Sequence, residues 1–224
     1  MQGIYKYIKR GKMHEKEKLA CQDAVTGAVK NGVMVITGAD ASSENDFGKR
    51  GAEVAADTLK KLFLDYFDEL YEMEKKDLQY NLIIQVRKRL YELCEEFNIS
   101  LNDVKSTLMA FAYDRPTKRA IMVHLGDGYI VAKMKNQYRI VSYPENVGNR
   151  YCTFMTSNIP VADKIKVYRG KMEDLQRVYL LTDGWCEFIQ KTSDILTLIQ
   201  TKIEGKCQLV GEDDLAVICM NLDD

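Results

Sequence analysis

The sequence predicts an α+β fold, on three observations: an Asn-Gly hairpin near the start, two long amphipathic helices after it, and a run of apolar strands in the second half. Strands and helices come in blocks rather than in alternation, which argues against a parallel βαβ sheet. Two antiparallel sheets packed face to face with helices outside fit this order. A single sheet with helices on one side fits as well, and periodicity alone does not separate the two.

The hairpin is read from Ala24–Val29 and Val33–Thr37, joined at Lys30-Asn31-Gly32. Asn-Gly between apolar runs suits the tight turn that matches strand twist. A helix follows over Lys49–Lys75, with Ala52, Ala55, Ala56, Leu59, Leu62, Phe63, Phe67 and Leu70 at helical spacing. A second helix, Asp77–Phe97, carries Leu82, Val86, Leu90 and Leu93 on one face. Both stripes read as core. After Asn102 the period changes to strands at Ser106–Tyr113, Ala120–Leu125, Tyr129–Met134 and Tyr138–Ser142. Tyr143–Asn158 has weak periodicity and reads as loop. Ile165–Tyr168 and Val178–Leu181 are further strands, Gly184–Gln200 turns helical, and Leu215–Leu222 closes the chain as a strand.

The chain has 224 residues, enough for one domain over 1–224 with a sizeable core. Thirty-two basic residues balance 33 acidic ones. That balance lacks the basic excess of a nucleic-acid or membrane-surface protein. The N-terminus has no apolar h-region, and no apolar run approaches the roughly 18 residues of a membrane span. The six cysteines are dispersed and form no C-x-x-C pair. Reduced thiols and a cytoplasmic location are therefore expected, without zinc.

Chemistry is concentrated in aspartates beside apolar strands: Asp23, Asp40, Asp127, Asp183 and Asp213. Asp23 and Asp40 flank the hairpin, Asp183 ends Val-Tyr-Leu-Leu-Thr, and Asp213 precedes the last strand. A lone aspartate at a strand end is usually a turn or cap residue. Asp183-Gly184 by itself is an ordinary turn, and Asp127 between glycines could make a tight connection. For the whole ordered set, that explanation would have to hold several times over. Clustered carboxylates repel one another and resist burial unless a cation neutralises them. Oxygen ligands suit a hard divalent ion, magnesium or manganese, and a two-metal centre suits phosphoryl or hydrolytic chemistry. Other polar residues are less specific. His124 lies in an apolar strand and reads as a hydrogen-bonded core residue. His14, Lys16 and Lys18 could bind a phosphate, although a solvated loop is the commoner meaning. Cys21 reads as a buried thiol rather than a nucleophile.

In order and spacing these motifs resemble the metal-dependent phosphatases of the protein phosphatase 2C family, over nearly the whole chain. Gln22-Asp23-Ala24 resembles that family's Glu-Asp-Ala segment. Val33–Asp40 resembles its second motif, followed by a small-residue loop and the helix Gly48–Leu59. Ser106-Thr107-Leu108 resembles Thr-Thr-Leu, Gly126-Asp127 resembles Gly-Asp-Ser, Thr182-Asp183-Gly184 resembles Ser-Asp-Gly, and Asp213-Asp214 resembles the closing Asp-Asn. His14 and Cys21-Gln22-Asp23 look most like a compact bacterial branch.

The resemblance implies a four-layer αββα sandwich with two manganese or magnesium ions at one end. It implies that Asp40 bridges both ions, that Asp23 holds one through waters, and that Asp183 and Asp213 ligate the other. The carbonyl of Ala41 takes the place of a glycine carbonyl. Asp127 and Asp183, with Glu187 in place of another aspartate, belong to a third, weaker position. The implied catalytic residues are Asp40, Asp23 and Lys18, with a metal-activated water as nucleophile. The implied partner is a phosphoserine or phosphothreonine protein, the target of a serine/threonine kinase.

Four positions depart from the pattern. Lys18 stands where an arginine often grips the phosphate, and its point charge lacks the bidentate fork. Ala41 replaces a glycine and would be strained if φ were positive, at about 1–2 kcal/mol. Ser42 replaces a general-acid histidine of some members. Asp214 replaces the asparagine and adds a charge. A serine/threonine phosphatase is the leading expectation. A weak or inactive phosphatase-fold module that binds phosphoproteins and a hydrolase of small phosphate esters stay open beside it.

Overall fold

The computed structural model describes residues 3–41, 47–135, 137–145, 153–158, 160–189, 192–203 and 209–223. In chain order the elements are β1 (Ile4–Lys9), α1 (Lys12–Glu17), β2 (Asp23–Lys30), β3 (Val33–Asp40), α2 (Phe47–Glu72), α3 (Lys75–Phe97), β4 (Leu108–Asp114), β5 (Arg119–Leu125), β6 (Tyr129–Met134), β7 (Gln137–Ser142), β8 (Lys166–Lys171), β9 (Leu175–Leu181), α4 (Thr192–Leu198) and β10 (Leu215–Asn221).

The strands form two five-stranded sheets, one ordered β1-β10-β9-β6-β7 and the other β2-β3-β4-β5-β8. All neighbouring pairs are antiparallel. The sheets face each other across Met34, Ile36, Phe111 and Met122 on one side and Ile130, Val178, Leu180 and Ile218 on the other. The residues between them in sequence face outwards. Val35, Ala110 and Ile121 meet Ala55, Leu59, Leu82 and Val86 of α2 and α3. Val131, Tyr179 and Val217 meet Ile195, Leu198 and Ile199 on the far side. Four αββα layers result. Strands covered on both faces lose the apolar/polar alternation, so all seven residues of β10 are buried.

The hairpin turn has positive φ at both Asn31 (51°) and Gly32 (87°), as a type I′ turn requires. β2 and β3 extend beyond the expected strands until Asp23 pairs with Asp40. The helix expected at Gly184–Gln200 is corrected. Asp183–Phe188 is a 3-10 turn, Ile189 is extended, and α4 begins at Thr192. The reason is tertiary: Trp185 is buried against the outer face of its sheet and its Nε1 donates to the Ala216 carbonyl at 2.8 Å. Such a contact outweighs helical spacing. β1 has no counterpart among the expected elements. It is a lysine-rich edge strand, and lysines guard an exposed edge against further pairing. Part of the loop expected at Tyr143–Asn158, the small-residue loop after Asp40, and Ser42 lie outside the described residues. Among the described residues no helix is long and apolar enough to cross a membrane.

Candidate metal centre

Antiparallel pairing brings one end of several strands together. Asp23 opens β2 and Asp40 ends β3, directly opposite in register. Asp127 follows the end of β5, Asp183 follows the end of β9, and Asp213 precedes β10. All five aspartates therefore gather at the same end of the sandwich. Carboxylate oxygens of Asp40, Asp127 and Asp183 lie within 4.8 Å of one another.

The local chain fixes these side chains. Thr107 holds Asp40 from both directions: its hydroxyl accepts from the Asp40 N–H at 2.9 Å, and its own N–H donates to the Asp40 carbonyl at 2.8 Å. The Thr182 hydroxyl donates to Asp23 Oδ2 at 2.7 Å. The other oxygen of Asp23, Oδ1, is buried with no protein partner. Two glycines bring backbone close. A Cβ on Gly184 would sit 1.9 Å from the Asp214 carbonyl oxygen, and one on Gly11 would sit 2.3 Å from the Asp213 carbonyl carbon. Only hydrogen at these positions lets both neighbours press against the turn that carries Asp213.

The electrostatics are those of uncompensated negative charge. Burial, and then the charge of Asp183, hold Asp23 and Asp40 well above the ordinary carboxylate range. Burial, then Asp127 and Asp213, push Asp183 up to about 7. Burial pushes Asp127 up to about 6 with help from Asp213, and burial raises Asp213. Among the described residues none of the five aspartates is in a salt bridge. A divalent cation fits this set. The donors are all hard oxygens, one is an orphaned buried oxygen, and no side-chain cation competes.

The other expected residues are placed as follows. Lys18 is exposed at the end of α1 in the left-handed region, φ 59°, and among the described residues its ammonium has no hydrogen-bond partner. His14 Nδ1 lies 2.8 Å from Asp214 Oδ2. Ala41 is buried in an isolated bridge with Ser106 and is not among the residues with positive φ, so the backbone strain anticipated there is absent. Both oxygens of Glu187 accept backbone N–H groups, from Glu212 at 2.9 Å and Asp213 at 2.8 Å. Asp214 is fully enclosed, and its extra charge is met locally. Oδ1 accepts the Gly11 N–H at 2.7 Å, and Oδ2 accepts the Gln22 N–H at 2.6 Å beside His14. The positioning roles of Thr107, Thr182 and Asp214 were not visible in the sequence. Their one signal is a polar side chain beside or between the aspartate motifs.

Cys21 is half-buried, and burial and then Asp23 push its thiol up. Burial and Asp183 push Cys186 up to about 12. Both thiols are protonated at neutral pH. His124 is core as expected: Nδ1 lies 2.6 Å from Ser142 Oγ, and burial pushes its pKa down to about 3.

Comparison with known proteins agrees with this architecture. A bacterial serine phosphatase superposes with a TM-score of 0.68 at 12% identity, covering 98% of this chain and 97% of its own. The serine/threonine phosphatase PstP/Ppp of Mycobacterium tuberculosis gives 0.68 at 14%, with the same coverage. Serine/threonine phosphatase Stp1 from Staphylococcus aureus gives 0.66 at 12%, covering 100% and 96%. At such identities these likenesses show the fold. No curated protein sequence matches the chain. The family model described as protein phosphatase 2C matches residues 10–205, a span that includes four of the five gathered aspartates. With that match over most of its length, the chain belongs to the protein phosphatase 2C family.

Proposed function

We propose that this protein hydrolyses phosphoserine and phosphothreonine in proteins with the help of two divalent ions, manganese or magnesium. The observation that carries the reading is the set of five buried or half-buried carboxylates at one end of the sandwich, raised in pKa and without a cationic side chain. Asp40, Asp23, Asp183 and Asp213 are the residues that would hold the ions, with the Ala41 carbonyl beside them. Asp127 and Asp183 border a third, weaker position. Bound ions would activate a water and neutralise charge on the phosphoryl oxygens.

The chain's own groups supply the rest. Thr182 and Thr107 hold Asp23 and Asp40 in place before any ligand arrives. Lys18 offers a mobile point charge to the phosphate from the end of α1. His14, tied to Asp214, fixes the same segment beside the Asp213 turn. Neither Cys21 nor Cys186 is available as a thiolate, so a phosphocysteine intermediate has no support. Family membership and phosphatase neighbours support phosphatase chemistry.

Two departures lose their force as arguments for an inactive module, because Ala41 is unstrained and the Asp214 charge is compensated. The test is a substrate panel with manganese: phosphoserine and phosphothreonine peptides, a nucleoside monophosphate and an aryl phosphate. Preferential turnover of the phosphopeptides supports the proposal. Preference for the nucleotide would make the protein a small-ester hydrolase, and phosphopeptide binding without turnover would make it a binding module.

A further inference from the structure

Glu187 sits on the 3-10 turn that begins with Asp183, yet its carboxylate does not join the close group formed by Asp40, Asp127 and Asp183. It reaches across to a second turn instead. Oε2 accepts the Glu212 N–H at 2.9 Å and Oε1 accepts the Asp213 N–H at 2.8 Å. Two parallel N–H bonds to one carboxylate fix its plane as well as its position. With each oxygen turned to a backbone amide, the carboxylate takes its orientation from the Glu212–Asp213 turn rather than from the aspartates.

The turn that Glu187 grips is shaped around it. A Cβ on Gly211 would lie 3.1 Å from Glu187 Oε2, tighter than side chains normally pack. Inside the turn, the Asp214 N–H donates to Asp213 Oδ1 at 2.7 Å, so the backbone that Glu187 holds also sets the Asp213 carboxylate. The opposite flank is held by the N-terminal segment: Lys12 N–H to the Gly211 carbonyl at 3.2 Å, and Met13 N–H to the Glu212 carbonyl at 3.0 Å.

We propose that Glu187 is a positioning residue that fixes the separation between Asp183 and Asp213, and not a ligand of a third ion. Its own turn carries Asp183, and the amides it holds carry Asp213. A short covalent path and two hydrogen bonds thus tie together two carboxylates that would serve one ion. This inference rests on the two-ion reading above and sharpens it, because it removes one donor from the weak third position.

The test is manganese binding by calorimetry on wild type, Glu187→Ala and Glu187→Gln, with the melting temperature of each metal-free protein. Glu187 is exposed, so both variants are expected to fold. The alanine variant should bind the tight ions about 10–100-fold more weakly, as loss of a partner that orients a ligand typically does. The glutamine variant, which keeps one acceptor, should fall between. Unchanged tight binding with loss of only a weak, additional binding event would show a ligand and overturn the proposal. A lowered metal-free melting temperature with unchanged manganese affinity would reduce Glu187 to a fold contact, which also overturns it. Wild-type protein that binds no manganese would overturn the two-ion reading itself, and is distinguished because wild type and variants then behave alike.

Discussion

Asp183→Asn should make the metal-free protein more stable, with a clearly larger gain at pH 8 than at pH 5. Burial and the charges of Asp127 and Asp213 push the Asp183 carboxyl from an ordinary 3.8 up to about 7. Well below 3.8 the group is protonated in both the folded and the unfolded chain and has no effect. Between 3.8 and about 7 the folded protein keeps the proton while the unfolded chain has released it, so stability falls as pH rises. Above about 7 the loss is complete. That gap corresponds to about 4 kcal/mol, at about 1.4 kcal/mol for each pH unit. Because the neighbouring aspartates share the same field, removing one charge should return about 2–4 kcal/mol. Asp127 and the raised Asp23, Asp40 and Asp213 act in the same direction. Asp57 and Glu212, held below their ordinary values, act below this window. The assay is urea unfolding in EDTA at pH 5 and pH 8 for wild type and variant. Wild type should be the less stable protein at pH 8. Added manganese should reverse the order, because it stabilises only the protein that binds it. A wild type that gains stability from pH 5 to pH 8 in EDTA, or a variant less stable at both, would refute the reasoning.

Two further substitutions probe how the centre is supported. Asp214→Ala removes the acceptor for the Gly11 and Gln22 N–H groups and for His14, and should cost about 3–5 kcal/mol in urea unfolding as an enclosed charge network is broken; a loss below about 1 kcal/mol would show that water replaces it. Gly184→Ala forces a Cβ to within 1.9 Å of the Asp214 carbonyl, so it should cost about 2–3 kcal/mol and weaken manganese binding by displacing the Asp213 turn; an unchanged melting temperature would contradict the close approach.

Much of the fold was legible because its signals are local. Asn31-Gly32 fixed the hairpin, and the alanine and leucine stripes fixed α2 and α3. The order of the aspartates was legible for the same reason, since each lies beside a strand the sequence makes apolar. Three things were not legible. β1 is one-third lysine, and its strand character comes from pairing with β10 at the far end of the chain. The turn at Asp183–Phe188 replaces a helix because Trp185 finds the Ala216 carbonyl. Asp214 looked like a surplus charge until the fold brought Gly11, His14 and Gln22 around it. Each case depends on contacts between residues far apart in sequence, and no window of neighbouring residues contains them.

The most direct test of the central claim is a manganese titration by calorimetry, with phosphopeptide turnover assayed on the same samples, for wild type and Asp40→Asn. The account predicts that wild type binds manganese at two positions and turns over phosphopeptide, and that Asp40→Asn loses both. Wild-type protein that binds no manganese, or a variant that keeps wild-type turnover, would contradict it.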